Sequence, residues 1–95
     1  MSLKQIYTLL RSRKSWTQGS YARTRSGTPV FGDNPRAQCW CLAGAVQHVL
    51  GRADIVGSWA TAHLGMTEGE LIHFNDSHSH EEVLAFIKEK MNAKA

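Results

Sequence analysis

Residues 34–51 read NPRAQCWCLAGAVQHVLG, and the pattern of this stretch decides the architecture. Asn34 can accept from the first free amides of a helix, Pro35 stands where a missing N–H costs nothing, and Gly51 supplies a left-handed stop. Between these signals Ala37, Trp40, Cys41, Gly44, Ala45 and His48 follow the i, i+3, i+4 rhythm on one side. Leu42, Ala43, Val46, Val49 and Leu50 fill the other, and only Arg36, Gln38 and Gln47 read as solvent-facing. A helix that is apolar nearly all round belongs in a core. The stretch therefore predicts a buried central helix over about residues 35–50, with the remaining chain wrapped around it. Gly44 weakens a helix interior by about 1 kcal/mol relative to Ala, so its expected use is to admit another backbone or an aromatic ring at close range.

Working outward, Leu3, Ile6, Tyr7 and Leu10 form one stripe of a first helix that ends near Arg13. Ser26-Gly27 is a turn signal between Tyr21-Ala22-Arg23 and Pro29-Val30-Phe31, which predicts a short β-hairpin over about residues 20–31 whose Pro29 strand lies at an edge. After the central helix, residues 55–64 read as a short helix or turn anchored by Trp59 and Leu64. Thr67 with Glu70 and Ser79 with Glu82 are capping boxes that open two further helices, the second with Val83, Leu84, Ile87 and Met91 inside. Residues 92–95 are expected to fray. The expected fold is mostly α (α+β), a single domain over 1–95 with four to five helices around the central one and one hairpin.

Ninety-five residues suffice for one core and leave no room for a separate catalytic domain. No apolar run has membrane-spanning length, and the first residues lack the unbroken apolar segment of a signal peptide, so the expected setting is the cytoplasm without membrane contact. Cys39 and Cys41, two apart on a helix, would point in nearly opposite directions and are expected as reduced thiols. The net charge of +3 is uneven: Lys4, Arg11, Arg13, Lys14, Arg23, Arg25 and Arg36 stand against Asp33 alone in residues 1–36, and the acidic residues concentrate after residue 53. A basic half permits nucleic-acid binding, but its aromatic and basic residues do not interleave as they do in RNA-binding strands, and two solvated faces are the preferred reading.

The succession Trp16-Thr17-Gln18-Gly19, Tyr21-Ala22-Arg23, Gly27-Thr28-Pro29-Val30, Cys39-Trp40-Cys41-Leu42-Ala43-Gly44-Ala45 and Phe74-Asn75-Asp76 with His80-Glu81-Glu82-Val83-Leu84 resembles a family of small uncharacterised bacterial and phage proteins, a domain of unknown function. The resemblance spans nearly the whole chain. It implies a stand-alone intracellular domain, in some members encoded on mobile elements, and brings no activity, cofactor or catalytic residue with it.

Three constellations can carry chemistry. Cys41 as nucleophile, with His80 or His78 as base and Asp76 or Asn75 orienting it, has the chain order of papain-like hydrolases. In the predicted helix, however, Cys41 lies two turns inside, where its neighbours' amides already serve the helix, and a small apolar core thiol is the preferred reading. Asp76, His78 and His80 have the ligand types for a metal, but a capping box at Ser79 puts His80 at a helix start and turns it from His78, so no metal or other cofactor is expected. Trp16, Gln18, Tyr21, Arg23 and Arg25 are the residue types of binding hot spots around a hairpin, and they nominate a face for a protein or anionic ligand. The competing reading packs Trp16 and Tyr21 on the central helix. Trp40, Cys41, Gly44, Phe74, Asn75 and Asp76 are assigned structural roles, with Asn75 and Asp76 capping adjoining helices or Asp76 pairing with Arg23 or Arg36. The expected function is a non-catalytic binding domain, a phage or mobile-element accessory acting on a host protein. A Cys41-dependent hydrolase or transferase and nucleic-acid binding by the basic half are the alternatives, and no oligomeric state is indicated.

Overall fold

Leu3, Ile6 and Leu10 do bury one stripe of a first helix, α1 (Leu3–Leu10), in the computed structural model of the chain, which describes residues 3–93. The helix stops at Leu10, and a 3-10 turn follows at Arg13–Ser15. Strands β1 (Ala22–Thr24) and β2 (Pro29–Val30) pair antiparallel in the expected hairpin, Ala22 opposite Val30 and Arg23 opposite Pro29. Gly27 closes its turn at φ 91°. The sheet order is β2-β1-β3, so Pro29 is on an edge, where its missing N–H breaks no ladder bond.

The stretch at 34–51 is not one helix. Its first part is strand β3 (Ala37–Trp40), antiparallel to β1, and only Leu42–Leu50 is helical, as α2. Asn34 and Pro35 open a turn instead: Asn34 Oδ1 accepts from the Arg36 amide at 2.8 Å, and the Ala37 amide donates to the Asn34 carbonyl at 3.0 Å. Trp40 and Cys39 satisfy a strand's spacing as readily as a helix's, and the unpaired side of β1 decides between them by offering a ladder. Cys41, extended at φ −82° and ψ 178°, is the N-cap of α2.

Two sides of α2 differ from expectation as well. Gln47, read as solvent-facing, is buried, with Oε1 accepting from the Gly32 amide at 2.6 Å and Nε2 donating to the Ala53 carbonyl at 3.3 Å. His48, read as inward, is exposed and lies against the Trp40 ring, with centroids 4.7 Å apart. Gly51 ends the helix in the left-handed conformation as expected, and its amide donates to the Gln47 and His48 carbonyls. Gly44 also behaves as expected. A Cβ there would sit 1.8 Å from the Tyr21 carbonyl oxygen, so the glycine lets β1 cross directly over the helix start.

Helices α3 (Val56–Leu64), α4 (Glu68–Ser77) and α5 (His80–Ala93) complete the chain. Both capping boxes form: Thr67 Oγ1 accepts from the Glu70 amide at 3.0 Å and Ser79 Oγ from the Glu82 amide at 3.1 Å, each with the reciprocal glutamate bond. Residues 94 and 95 of the expected frayed end lie outside the described residues, while Asn92 and Ala93 remain helical. α1 packs on α2 and α5, and α4 on α2 and α3, so α2 is central with Leu42, Ala43, Ala45 and Val46 in one core with Ile6, Leu10, Val56, Leu71, Val83 and Ile87.

Candidate functional site

α4 runs three residues past Phe74, and this turns Asn75 inward, away from the helix-end position expected for it. Asn75 is fully buried. Its Oδ1 accepts from Trp16 Nε1 at 2.7 Å and from the Leu42 amide at 3.2 Å; its Nδ2 donates to the Thr17 carbonyl and to Asp76 Oδ1, both at 3.0 Å. One side-chain amide thus makes the four bonds it is capable of. It ties the loop at 16–19 to the first amide of α2. Gln18 reinforces the junction from outside, its Nε2 donating to the Asn75 and His78 carbonyls at 3.0 and 2.9 Å, so it closes the end of α4. Asp76 Oδ1 accepts from the Gly19 amide at 3.2 Å. The ion pair with Arg23 or Arg36 considered for Asp76 is replaced by this loop contact, and the salt bridge among the described residues joins Arg52 and Asp54.

Cys41 stands at the start of α2, not two turns inside it. That is where helix amides and dipole can activate a thiolate, so the geometric objection to Cys41 drawn from the sequence does not hold. A different one replaces it. The thiol is buried, and its Sγ accepts from the Gly44 amide at 3.4 Å, while Asn75 Oδ1 occupies the Leu42 amide. Burial, outweighing these backbone contacts, pushes the thiol up to about 11. The amides that would form an oxyanion hole are engaged by the fold. Cys39 is half-buried and both cysteines are free; they lie on consecutive same-side positions of extended chain rather than on a helix.

The three proposed metal ligands diverge. His80, buried at the first turn of α5, donates from Nε2 to the Leu10 carbonyl at 2.7 Å and lies against Trp16, with centroids 5.3 Å apart. His78 stacks on Phe74 at 4.0 Å and donates from Nδ1 to the Phe74 carbonyl at 2.8 Å. With Asp76 on the Gly19 amide, no group of three or more potential ligands is assembled among the described residues.

The five residues nominated for binding separate into two sets. Trp16 and Gln18 belong to the Asn75 junction. Tyr21 donates from its hydroxyl to Glu68 Oε2 at 2.5 Å, and that bond together with burial pushes it up to about 12. Arg23 is held along the loop, with Nε to Thr17 Oγ1, Nη1 to the Gly27 carbonyl and Nη2 to the Gln18 carbonyl at 3.2–3.3 Å. Of the five, Gln18 and Arg25 are exposed, and Arg25 is the one that none of these contacts engages.

Beside it is a residue that the sequence reading passed over. Phe31, just beyond β2, is 57 % exposed and is the large exposed hydrophobic residue of the described chain. Its ring lies 5.6 Å from that of Tyr21, and Tyr21, Pro29, Val30 and Phe31 line one open, mainly apolar cleft. A second cleft of about 700 Å³ shares Val30 and is lined by Arg25, Arg36, Thr24 and Thr28. The only signal in the sequence was a large aromatic residue beside an edge strand.

Comparison with known proteins adds little chemistry. A family model described as a family of unknown function (DUF6197) matches residues 2–91, and neither a curated protein nor a solved structure matches the chain.

Proposed function

We propose, for a chain that belongs to that family, a non-catalytic binding domain that holds a protein partner at the outer edge of its hairpin. The observation that carries this reading is Phe31: a large ring 57 % exposed at the end of the edge strand, with Tyr21 and Pro29 around it and Arg25 and Arg36 on the neighbouring cleft. An aromatic residue surrounded by apolar surface and flanked by arginine is the composition of an interaction hot spot. The partner face is thus the hairpin end of the 16–25 segment rather than all of it. Trp16, Gln18 and Arg23, which the fold engages, support the loop and do not touch the partner.

A phage or mobile-element accessory acting on a host protein in the cytoplasm is the biological setting that goes with this proposal. The Cys41 hydrolase or transferase with His78 or His80 is the weaker reading, because a thiol held protonated to about 11 is a poor nucleophile at neutral pH and His80 is engaged with Leu10. Along the chain no described helix is long and apolar enough to cross a membrane. The test is capture from a lysate of the source cell with wild-type protein, Phe31→Ser and, on the exposed side of α5 and outside both clefts, Glu89→Ser. A partner retained by wild type and Glu89→Ser but lost with Phe31→Ser is the expected result; an identical set for all three places binding elsewhere.

A further inference from the structure

Resting on the reading of the hairpin edge as the binding face, we infer that its ligand is a short extended peptide of alternating apolar and acidic residues, added as a strand beside β2. Three features of the edge lead there. The first is the ladder. The Thr24 amide donates to the Thr28 carbonyl at 2.9 Å, so residues 24/28 and 22/30 occupy hydrogen-bonded positions and Pro29 faces Arg23 in the position between. The Pro29 carbonyl therefore points away from β1 to the open side. Phe31 follows the same alternation, as Tyr21 opposite it gives its carbonyl to the Cys41 amide on the far side, at 2.9 Å.

The Pro29 nitrogen carries no hydrogen, and the Phe31 carbonyl is occupied by the Asn34 amide at 3.1 Å. What the edge offers is one acceptor, Pro29 O, and one donor, the Phe31 amide. An incoming antiparallel strand satisfies both through two of its residues two positions apart.

The second feature is the pleat. Successive side chains of an added strand point to opposite faces of the sheet. One face at this edge is the apolar cleft of Tyr21, Pro29 and Phe31; the other is the cleft that holds Arg25 and Arg36. A peptide with period two places every second side chain on the aromatic surface and the intervening ones beside the guanidinium groups. The third is charge. No carboxylate lines either cleft, and Asp33 on the following turn belongs to neither. The basic cleft selects carboxylates on the ligand and disfavours a second copy of the same edge, which would bring arginine against arginine.

The probe is the capped heptapeptide Asp-Val-Asp-Val-Asp-Val-Asp, titrated into the full chain and followed by the protein's amide NMR spectrum. Two controls accompany it: a peptide of the same composition with valines and aspartates in separate blocks, and the alternating Lys/Val peptide. The alternating acidic peptide is expected to bind about tenfold or more tightly than either, with the largest change and slowed exchange at the Phe31 amide; Arg25→Ala/Arg36→Ala and Phe31→Ser each weaken it about tenfold. Equal binding of the block isomer, changes centred away from residues 29–31, or no binding at millimolar peptide overturns the inference. So does a dimer in sedimentation equilibrium that Phe31→Ser abolishes, which assigns the edge to a second copy. If the peptide fails while a captured partner still depends on Phe31, the strand mode falls and the binding face stands; if both fail, the face falls too.

Discussion

Asn75 and Phe31 mark two regions built from similar residue types and put to opposite use. Around Asn75, a tryptophan, a glutamine and an asparagine bond one another and the backbone of three separate elements, and Arg23 closes the same loop. Around Phe31, an aromatic ring, a carbonyl and an amide lie on the outer side of the edge strand, with two exposed arginines on the neighbouring cleft. Hot-spot composition alone does not tell these regions apart, because Trp, Tyr and Arg bury area and direct hydrogen bonds equally well inside a fold and between folds. The difference lies in whether the partner atoms belong to the same chain.

That contrast can be broken at its most internal point. Asn75→Ala leaves the Trp16 indole, the Leu42 amide and the Thr17 carbonyl without their partner in a buried site, and is expected to cost about 4 kcal/mol in urea denaturation. A loss under about 1 kcal/mol would show that the junction does not hold the loop to α2. Gly44→Ala comes next. Its Cβ would meet the Tyr21 backbone at 1.8 Å, which no rotamer can relieve, so a loss of about 3 kcal/mol is expected. Gly57→Ala, whose Cβ would find its nearest neighbour at 3.8 Å on the Glu68 side chain, is the matching control and should be neutral or stabilising by up to about 1 kcal/mol through helix propensity.

A smaller effect comes from Cys41. The thiol is raised in the folded state from 9.0 to about 11, so on raising the pH the unfolded chain loses this proton first. The folded state then binds more protons than the unfolded one, and stability falls between about pH 9 and 11, by about 2 kcal/mol from this group. Cys41→Ser should flatten that part of the profile; an unchanged slope assigns it to other groups. Alkylation at pH 8 is expected to modify the half-buried Cys39 well before Cys41, and rapid Cys41 labelling would restore the nucleophile reading. The smallest effects belong to the edge. Phe31→Ser and Arg25→Ala/Arg36→Ala should each change stability by no more than about 0.5 kcal/mol, since the fold does not rest on these side chains. A larger loss would move Phe31 from the binding region into the structural one.

What could be read from the chain was what short-range chemistry specifies. Thr67 with Glu70, Ser79 with Glu82, Ser26-Gly27 and the Gly51 stop interact with atoms a few residues away, and each is found where its spacing put it. Gly44 was also legible, since a glycine in a helix otherwise dense with side chains has few uses besides a close approach. Residues 37–41 were not. Their apolar spacing suits a helix and a strand alike, and β1, more than a dozen residues earlier, supplied the ladder that selected the strand.

The same division runs through the candidate sites. The sequence by itself determined the capped starts of α4 and α5, the Gly51 stop, the hairpin and the apolar material of one core, because those follow from dihedral preferences and local hydrogen bonds. Tertiary structure alone decided that Asn75 and Trp16, 59 positions apart, share a hydrogen bond, that Gln47 is buried and that Cys41 caps a helix with its thiol kept protonated. It also decided that Phe31 is left outside. Burial is a property of which distant surfaces meet, and no periodicity along the chain encodes that for a single residue.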